Sequence, residues 1–230
     1  TAMVTMSFAQ TALVNGNPNP KAIFGDWAMD LPVIVPVIVG LGCGLIAGLV
    51  NGLLVAYTKI PPFIATLGMM VSARGFARWW SNGNPISFPT EGYNAIGRGM
   101  NPVIIFVGLA VLFHLLMTYT KYGKHSYAIG SNEQATRMSG INVDRHKVLV
   151  YVIASALASL AAVVVSSKGQ TAQANMGVMY ELDAIAMAVI GGVSLQGGRG
   201  SILGTVIGAL IFGVIISGFT FLKLDAYYQE

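Results

Sequence analysis

The chain has 230 residues, of which 54% are hydrophobic and only 10% are charged. Soluble domains contain about 25% charged residues, so this composition excludes an ordinary soluble protein and indicates a protein of the lipid bilayer. The net charge of +4 comes from basic residues dispersed over short loops, which is unlike the continuous basic surface that binds nucleic acid. The single cysteine, Cys43, excludes an intrachain disulfide and a cysteine-based metal site.

Five apolar segments are long enough, or nearly so, to cross a bilayer, which requires about 20 residues. In chain order they are Leu31–Tyr57, Phe63–Trp80, Pro102–Tyr119, Val148–Ser167 and Ile202–Leu222. The residues up to about Val14 are interpreted as the end of a further hydrophobic helix that begins before Thr1. The sequence therefore predicts an all-α, polytopic transmembrane helical bundle that forms a single domain over residues 1–230.

A shorter apolar run, Ala184–Val193, is about half the length of a span and ends in a glycine pair. Its length predicts a re-entrant or broken helix that neighbouring helices shield from lipid. The glycine-rich segment that follows, "GGVSLQGGRG", lacks the Lys-Ser/Thr ending of a phosphate-binding loop and does not follow a strand. We therefore expect a tight turn or a close helix contact there.

Small residues recur at every fourth position in three of the predicted helices. This spacing gives a helix one flat face on which another backbone can lie in van der Waals contact. The sequence predicts such packing faces at Gly40, Gly44, Gly48 and Gly52, at Ala154, Ala158 and Ala162, and at Gly204 and Gly208.

The basic residues predict the orientation of the chain. Lys121–Lys147 is the loop richest in Lys and Arg, so it should face the cytoplasm. Alternation then places Lys59–Pro61 and Gln196–Gly200 inside. The same alternation places three loops outside: Asn15–Asp30, Ser81–Asn101 and Lys168–Tyr180.

Residues typical of catalysis or of metal binding form no motif in this sequence. It contains no nucleotide-binding Gly-x-x-x-x-Gly-Lys-Ser/Thr, no nucleophile with a paired base, and only three scattered histidines, His114, His125 and His146. We therefore predict that the chain is not an enzyme and holds no cofactor or metal of its own.

Charged residues near the ends of two predicted helices have two interpretations each. Glu181 and Asp183 open the half-span, where they stabilise the first turn of a helix or mark the place where a polar solute passes or a partner's cation docks. Arg74 and Arg78 lie on one helix face beside two tryptophans. They either extend to the lipid headgroups or contact a binding partner.

Asn51 and Thr66 are polar residues within apolar helices. Each can bond to its own helix or to a neighbouring one, yet a hydrophilic solute would also need several such groups along its path. We take them, with Phe63, as candidates for a translocation pathway.

The polar segment "GSNEQATRMSGINVDRHK", residues 130–147, is bounded like a short helix. Ser131 and Gln134 have the spacing of a reciprocal capping box, and Glu133 complements the helix dipole in the first turn. Arg137 lies nearer the C-terminal end, and Gly140 can supply a left-handed closing residue.

The apolar residues of the predicted short helix are only Ala135, Met138 and Ile141. That is too little for a helix that lies in the membrane interface. Small residues with one methionine, one acid and one arginine instead suit a groove on another protein. The segment is therefore predicted to be a docking element.

A family resemblance rests on "YAIGSNEQATRMSGINVDRHKVLVYVIASALASLAA", "YELDAIAMAVIGGVSLQGGRGSILGTVIGALIFG", "IPPFIATLGMMVSARG" and "NGNPI". With these motifs the chain resembles the membrane permeases of ribose-type ABC sugar importers. They are the carbohydrate branch of the type II importer fold, which also includes branched-chain amino-acid permeases. The likeness implies a multi-pass protein of the bacterial inner membrane that lacks its first helices before residue 1 and its last helix after residue 230.

The resemblance also implies an ATP-driven importer for a monosaccharide or a cyclitol. Its expected partners are a second permease subunit, identical or paralogous, two cytoplasmic ATPase subunits that bind ATP and magnesium, and an external sugar-binding protein. The polar helix then becomes the ATPase coupling helix, with Ser131, Asn132, Glu133, Gln134, Ala135, Arg137, Met138, Ser139 and Gly140. Outer loops that contain Glu91, Arg98 and residues 168–183 become candidate docking surface for the sugar-binding protein.

An alternative from another class is a stand-alone secondary transporter or channel. It requires ionisable residues along an ion pathway, and the apolar segments offer only Glu181 and Asp183 near a boundary.

Overall fold

The computed structural model describes residues 1–14, 17–19, 22–24 and 29–222. The helices of this part are α1 Ala2–Phe8, α2 Ile34–Tyr57, α3 Pro62–Trp80, α4 Glu91–Ile96, α5 Asn101–Tyr119, α6 Lys121–Ser131, α7 Glu133–Met138, α8 Val143–Gly169, α9 Tyr180–Ile190 and α10 Ile202–Phe221. Two antiparallel pairs of two-residue strands accompany them: β1 Leu13–Val14 with β2 Asn17–Pro18, and β3 Ile86–Ser87 with β4 Thr171–Ala172.

Four of the described helices, α2, α5, α8 and α10, are long and apolar enough to cross a membrane. They confirm the all-α polytopic prediction. The predicted span Phe63–Trp80 is a single helix, α3, but it is not among these four.

The expectation of a helix up to about Val14 is wrong beyond Phe8, because Leu13 and Val14 form β1. Much of the Asn15–Asp30 loop and all of residues 223–230 lie outside the described residues.

The chain divides into two compact units. Unit 1 comprises Thr1–Ile105 with Asp144–Met176, and unit 2 comprises Phe106–Val143 with Gly177–Glu230.

The glycine face of α2 packs directly against the backbone of α8 in unit 1. A Cβ added at Gly48 would lie 2.7 Å from the Tyr151 carbonyl oxygen, and one at Gly52 would lie 2.9 Å from the Val148 Cα. At Gly44 the added atom would overlap the Ser159 hydroxyl. The predicted glycine stripe is therefore confirmed as a helix contact, and the two helices run antiparallel along it.

The predicted alanine stripe of α8 does not form the matching face. Ala154 and Ala158 are exposed, and Ala162 is only half-buried. The contact with α2 is made by Ser155 and Ser159, one position further along the helix. Serine is nearly as small as alanine, so it allows the same close approach. A shift of one residue turns the contact face by about 100°.

Hydrogen bonds bring together two of the loops that are predicted to share the outer side. The strand pair β3–β4 joins Ser81–Asn101 to Lys168–Tyr180. The buried Tyr93 hydroxyl shares a 2.7 Å hydrogen bond with Ser166. The Ser167 hydroxyl donates to the Tyr93 carbonyl at 2.6 Å and accepts from the Gly97 amide at 2.7 Å. Helix α4 is thereby fixed to the C-terminal end of α8.

Burial raises the pKa of Tyr93 to about 12, although the hydrogen bond with Ser166 lowers it. The phenol therefore stays protonated at physiological pH and remains available for its buried hydrogen bonds.

In unit 2 the short helix α9 packs on α10 through glycines. An added Cβ at Gly208 would lie 2.7 Å from the Gly191 amide nitrogen. One at Gly191 would overlap the Gly204 carbonyl. The predicted half-span is thus an 11-residue helix, Tyr180–Ile190, and the predicted packing at Gly204 and Gly208 is confirmed.

Candidate functional site

The polar segment folds into the short helix α7, Glu133–Met138, but its N-cap is not the predicted one. The Asn132 side-chain oxygen accepts a 2.9 Å hydrogen bond from the Ala135 amide. Ser131 is instead the last residue of α6. The predicted capping box of Ser131 with Gln134 is therefore wrong. Asparagine caps helices as well as serine does, and the continuation of α6 through Ser131 leaves the next residue to cap α7.

The other features predicted for this helix are present. Glu133 lies in the first turn and Arg137 in the last, and their side chains form an ion pair at 3.3 Å. Gly140 has a φ of +83°, the left-handed conformation expected just beyond a helix end. Ser139 is the C-cap, and its amide donates to the Ala135 carbonyl.

One side of α7 is buried and the rest is exposed. Thr136, the buried residue, donates its hydroxyl to the Asn132 carbonyl at 2.8 Å. Met138 is 85% exposed, and Gln134 and Ala135 are exposed beside it. A short helix with a large exposed methionine offers an adaptable apolar contact surface to another molecule.

Helix α6, which precedes α7, packs against the glycine-rich turn before α10. The Tyr127 hydroxyl donates to the Gly200 carbonyl at 2.9 Å, and Gly130 is so close to Gly198 that no Cβ would fit between them. Gly197 and Gly198 have positive φ, which confirms the predicted tight turn. Unit 2 therefore contains a continuous packed route from α7 through α6 to the turn that joins α9 to α10.

The sequence predictions miss α6, because they treat the whole segment Lys121–Lys147 as a loop. The signals that could have found this helix are the absence of proline over Lys121–Ser131 and the apolar residues Tyr122, Tyr127 and Ile129 among the polar ones.

The pathway candidates of unit 1 do not converge on one site. Phe63 and Thr66 lie in the first turns of α3, and Arg78 lies near its end. Thr66 and Arg78 are thus about 18 Å apart along the helix axis. The Thr66 hydroxyl donates to the Pro62 carbonyl at 3.0 Å, which is a bond within its own helix, and Phe63 is 73% exposed. Asn51 is buried in α2, and its side-chain oxygen has no hydrogen-bond partner among the described residues.

Arg78 contacts a loop that follows α8. Its guanidinium donates to the Asn175 side-chain oxygen at 3.0 Å. The two residues line a cavity of about 270 Å³. Arg74, one turn earlier in α3, is half-buried.

In unit 2, Glu181 and Asp183 lie in the first turn of α9, where they complement the helix dipole.

Comparison with known proteins identifies the family. A family model described as the permease component of branched-chain amino acid transport systems matches residues 1–229. The ribose import permease protein of Bacillus subtilis is 42% identical over 184 residues, which cover 77% of this chain and 57% of that protein. The corresponding protein of Escherichia coli K12 is 42% identical over 185 residues, covering 76% of this chain and 58% of that protein.

A galactose/methyl galactoside import permease protein of Haemophilus influenzae is 36% identical over 189 residues, covering 77% of this chain and 56% of that protein. The chain thus spans less than two thirds of the length of these relatives. No solved structure matches it.

The apolar helices and the bacterial relatives define the chain as a multi-pass permease of the bacterial inner membrane. It belongs to the family of branched-chain amino acid transport system permease components, and within that family it is of the ribose type of ABC sugar importer permease.

Proposed function

We propose that this chain forms part of the membrane subunit of an ATP-driven importer that moves a monosaccharide into the cytoplasm. In this proposal the ATP is hydrolysed by separate cytoplasmic subunits, and the sugar is delivered by an external binding protein. A second permease subunit completes the pathway. The sugar is a pentose such as ribose, a hexose or a cyclitol.

The observation on which the proposal depends is the exposed helix α7 between membrane-spanning segments. Its cap and its closing glycine define its ends, and Met138 is 85% exposed. Its support on α6 gives it a packed connection to the turn between α9 and α10. A force applied to α7 by an ATPase subunit would therefore reach the half-length helix α9 through close backbone contacts, because packed elements transmit displacements.

Relatives named as ribose or galactose import permeases support a sugar as the cargo. In the proposed cycle the importer alternates between outward-open and inward-open states. A ligand or partner shifts such an equilibrium only through different affinities for the two states. In this proposal α7 is the coupling helix and lies in a groove of the ATPase subunit that moves when ATP binds. The contact of α7 with this groove would supply the difference in affinity between the two states.

The test replaces the ion pair of α7 with neutral amides, Glu133→Gln together with Arg137→Gln, in the complete importer. A pair between half-exposed side chains contributes about 0.3–0.5 kcal/mol, so helix α7 should persist. Uptake and sugar-stimulated ATP hydrolysis should fall, while sugar binding to the external protein should not change.

The matched control is Lys124→Gln, which neutralises an exposed residue of the neighbouring helix α6. Uptake by the double variant at the rate of this control would contradict the proposal. Ion-driven uptake by the permease alone in vesicles, without ATPase subunits, would establish the secondary transporter instead.

A further inference from the structure

A cavity of about 320 Å³, with a lining that is part polar and part apolar, lies in unit 1, where the segments after α1, α3 and α8 meet. The distribution of Lys and Arg predicts that this end of unit 1 lies outside the cell. The volume is at the lower end of the range for small-molecule sites, about 300–1,000 Å³. The cavity is lined by Thr11, Leu13, Val14, Ser87, Phe88, Pro89, Asn94 and Gln170.

Two residues of this lining have an unfavourable backbone conformation. Phe88 has a φ of +65° and Gln170 a φ of +52°. For residues with a Cβ the left-handed region costs free energy, and such strain concentrates at functional sites. Contacts on either side hold both residues in place. The Thr11 amide donates to the Phe88 carbonyl at 2.9 Å, and the Gln170 amide donates to the Ser167 carbonyl at 3.2 Å.

One polar residue of the lining, Asn94, has incomplete hydrogen bonding. Asn94 is only 9% exposed, yet its side-chain oxygen has no partner among the described residues. The Thr90 hydroxyl, at the N-cap of α4 and outside this lining, also has no partner among the described residues. A buried acceptor without a donor is costly. The Asn94 oxygen itself has almost no accessible surface, so it would meet a ligand only after rotation about χ2, which is soft for asparagine.

The lining selects a neutral ligand with many hydroxyl groups. Asn94 and Gln170 supply carboxamides, which both donate and accept, and Ser87 and Thr11 supply hydroxyls. The described residues that line the cavity include no charged side chain, so they give an ionic ligand no counter-charge. Phe88 is 37% exposed and adds an apolar surface for the C–H face of a sugar ring.

From these observations we infer that the cavity is a low-affinity monosaccharide site on the outer face of the permease. Sugar released from the external binding protein would be held there by the carboxamides of Asn94 and Gln170. This inference rests on the proposed function, because it takes the cargo to be a sugar.

The experiment uses the complete importer in lipid nanodiscs without the external binding protein. Saturation-transfer difference NMR records D-ribose and D-galactose bound to the membrane complex. The informative variant is Gln170→Gly, which removes the carboxamide and also relieves the positive φ. We expect its Tm to be unchanged or higher, while its sugar affinity becomes about fivefold weaker, the effect of one lost neutral hydrogen bond. Asn94→Ala should weaken binding to a similar extent.

Gln173→Ala is the control, since Gln173 is an exposed carboxamide in the same unit that lines a different cavity. It should bind sugar like the unaltered protein. The inference is overturned if the unaltered complex gives no sugar signal, or if Gln170→Gly and Asn94→Ala bind as well as the control. Uptake assays with the binding protein present separate this failure from a failure of the proposed function, because ATP-driven sugar uptake would then still occur.

Discussion

The contact between α2 and α8 makes a quantitative prediction about glycine. In Gly48→Ala the new Cβ would lie 2.7 Å from the Tyr151 carbonyl oxygen, 2.8 Å from the Val152 Cα and 2.8 Å from the Ser155 Cβ. Two of these three atoms belong to the backbone, so no side-chain rotation can move them away. The helices must therefore separate, and overpacking of this kind costs about 1–3 kcal/mol.

The same helix provides the control, because a Cβ at Gly42 would have no atom within 4 Å. Both substitutions gain about 1 kcal/mol of helix propensity, so this gain cancels when the two variants are compared. Gly48→Ala should therefore be about 1–3 kcal/mol less stable than Gly42→Ala. For a chain of this size the difference corresponds to a Tm about 2–12 °C lower.

The assay is thermal unfolding of the purified permease in detergent, followed by fluorescence-detected size-exclusion chromatography. Equal melting temperatures for Gly48→Ala and Gly42→Ala would refute the reasoning, since they would mean that α2 and α8 do not touch along the glycine face.

Two further predictions concern the ends of helices. Asn132→Ala removes the cap of α7, which contributes about 1 kcal/mol, so the amides of α7 should exchange hydrogen about fivefold faster when exchange is followed by mass spectrometry. Ser131→Ala should change these exchange rates little. Faster exchange in Ser131→Ala than in Asn132→Ala would instead support the capping box of Ser131. Tyr93→Phe loses the hydrogen bond to Ser166 and should lower the stability by about 1 kcal/mol. The pKa of Tyr93 is raised to about 12 from an ordinary value of about 10. The contribution of the protonated phenol to the free energy of unfolding is therefore complete below pH 10 and is lost as the pH rises towards 12. The stability difference between the two proteins should therefore shrink over that interval in alkaline unfolding, and a constant difference would show that the phenol is not buried.

Much of the fold can be predicted because the bilayer imposes long apolar helices. Length and composition alone identify the spans that form α2, α5, α8 and α10. The half-length of Ala184–Val193 predicts the short helix α9. The glycine face of α2 is also evident in the sequence, because glycine at every fourth position is typical of a close helix contact within a membrane.

The sequence predictions are wrong where two residue types can fill the same structural role equally well. Serine and asparagine both cap helices, so the pair Ser131 and Asn132 cannot be ranked without knowing where α6 ends. Alanine and serine both permit close packing, so the choice between Ala158 and Ser159 depends on the rotation of α8.

The outer cavity cannot be predicted from the sequence. It combines Thr11, Phe88, Asn94 and Gln170, which come from three stretches that are far apart in the chain, and no periodic pattern encodes such contacts. The positive φ of Phe88 and Gln170 gives no sequence signal either, because neither residue type favours the left-handed region.

Site-directed crosslinking tests whether a separate ATPase subunit binds α7 from the cytoplasm. The native Cys43 is replaced by serine, and Met138, 85% exposed at the end of α7, is changed to cysteine. Trp79, 71% exposed at the opposite end of α3 from Phe63, is changed to cysteine as the control. We expect Met138→Cys to crosslink to the ATPase subunit in the assembled importer and Trp79→Cys not to do so. A Met138→Cys residue that reacts with an impermeant thiol reagent from outside the cell, and forms no crosslink to the ATPase, would contradict this expectation.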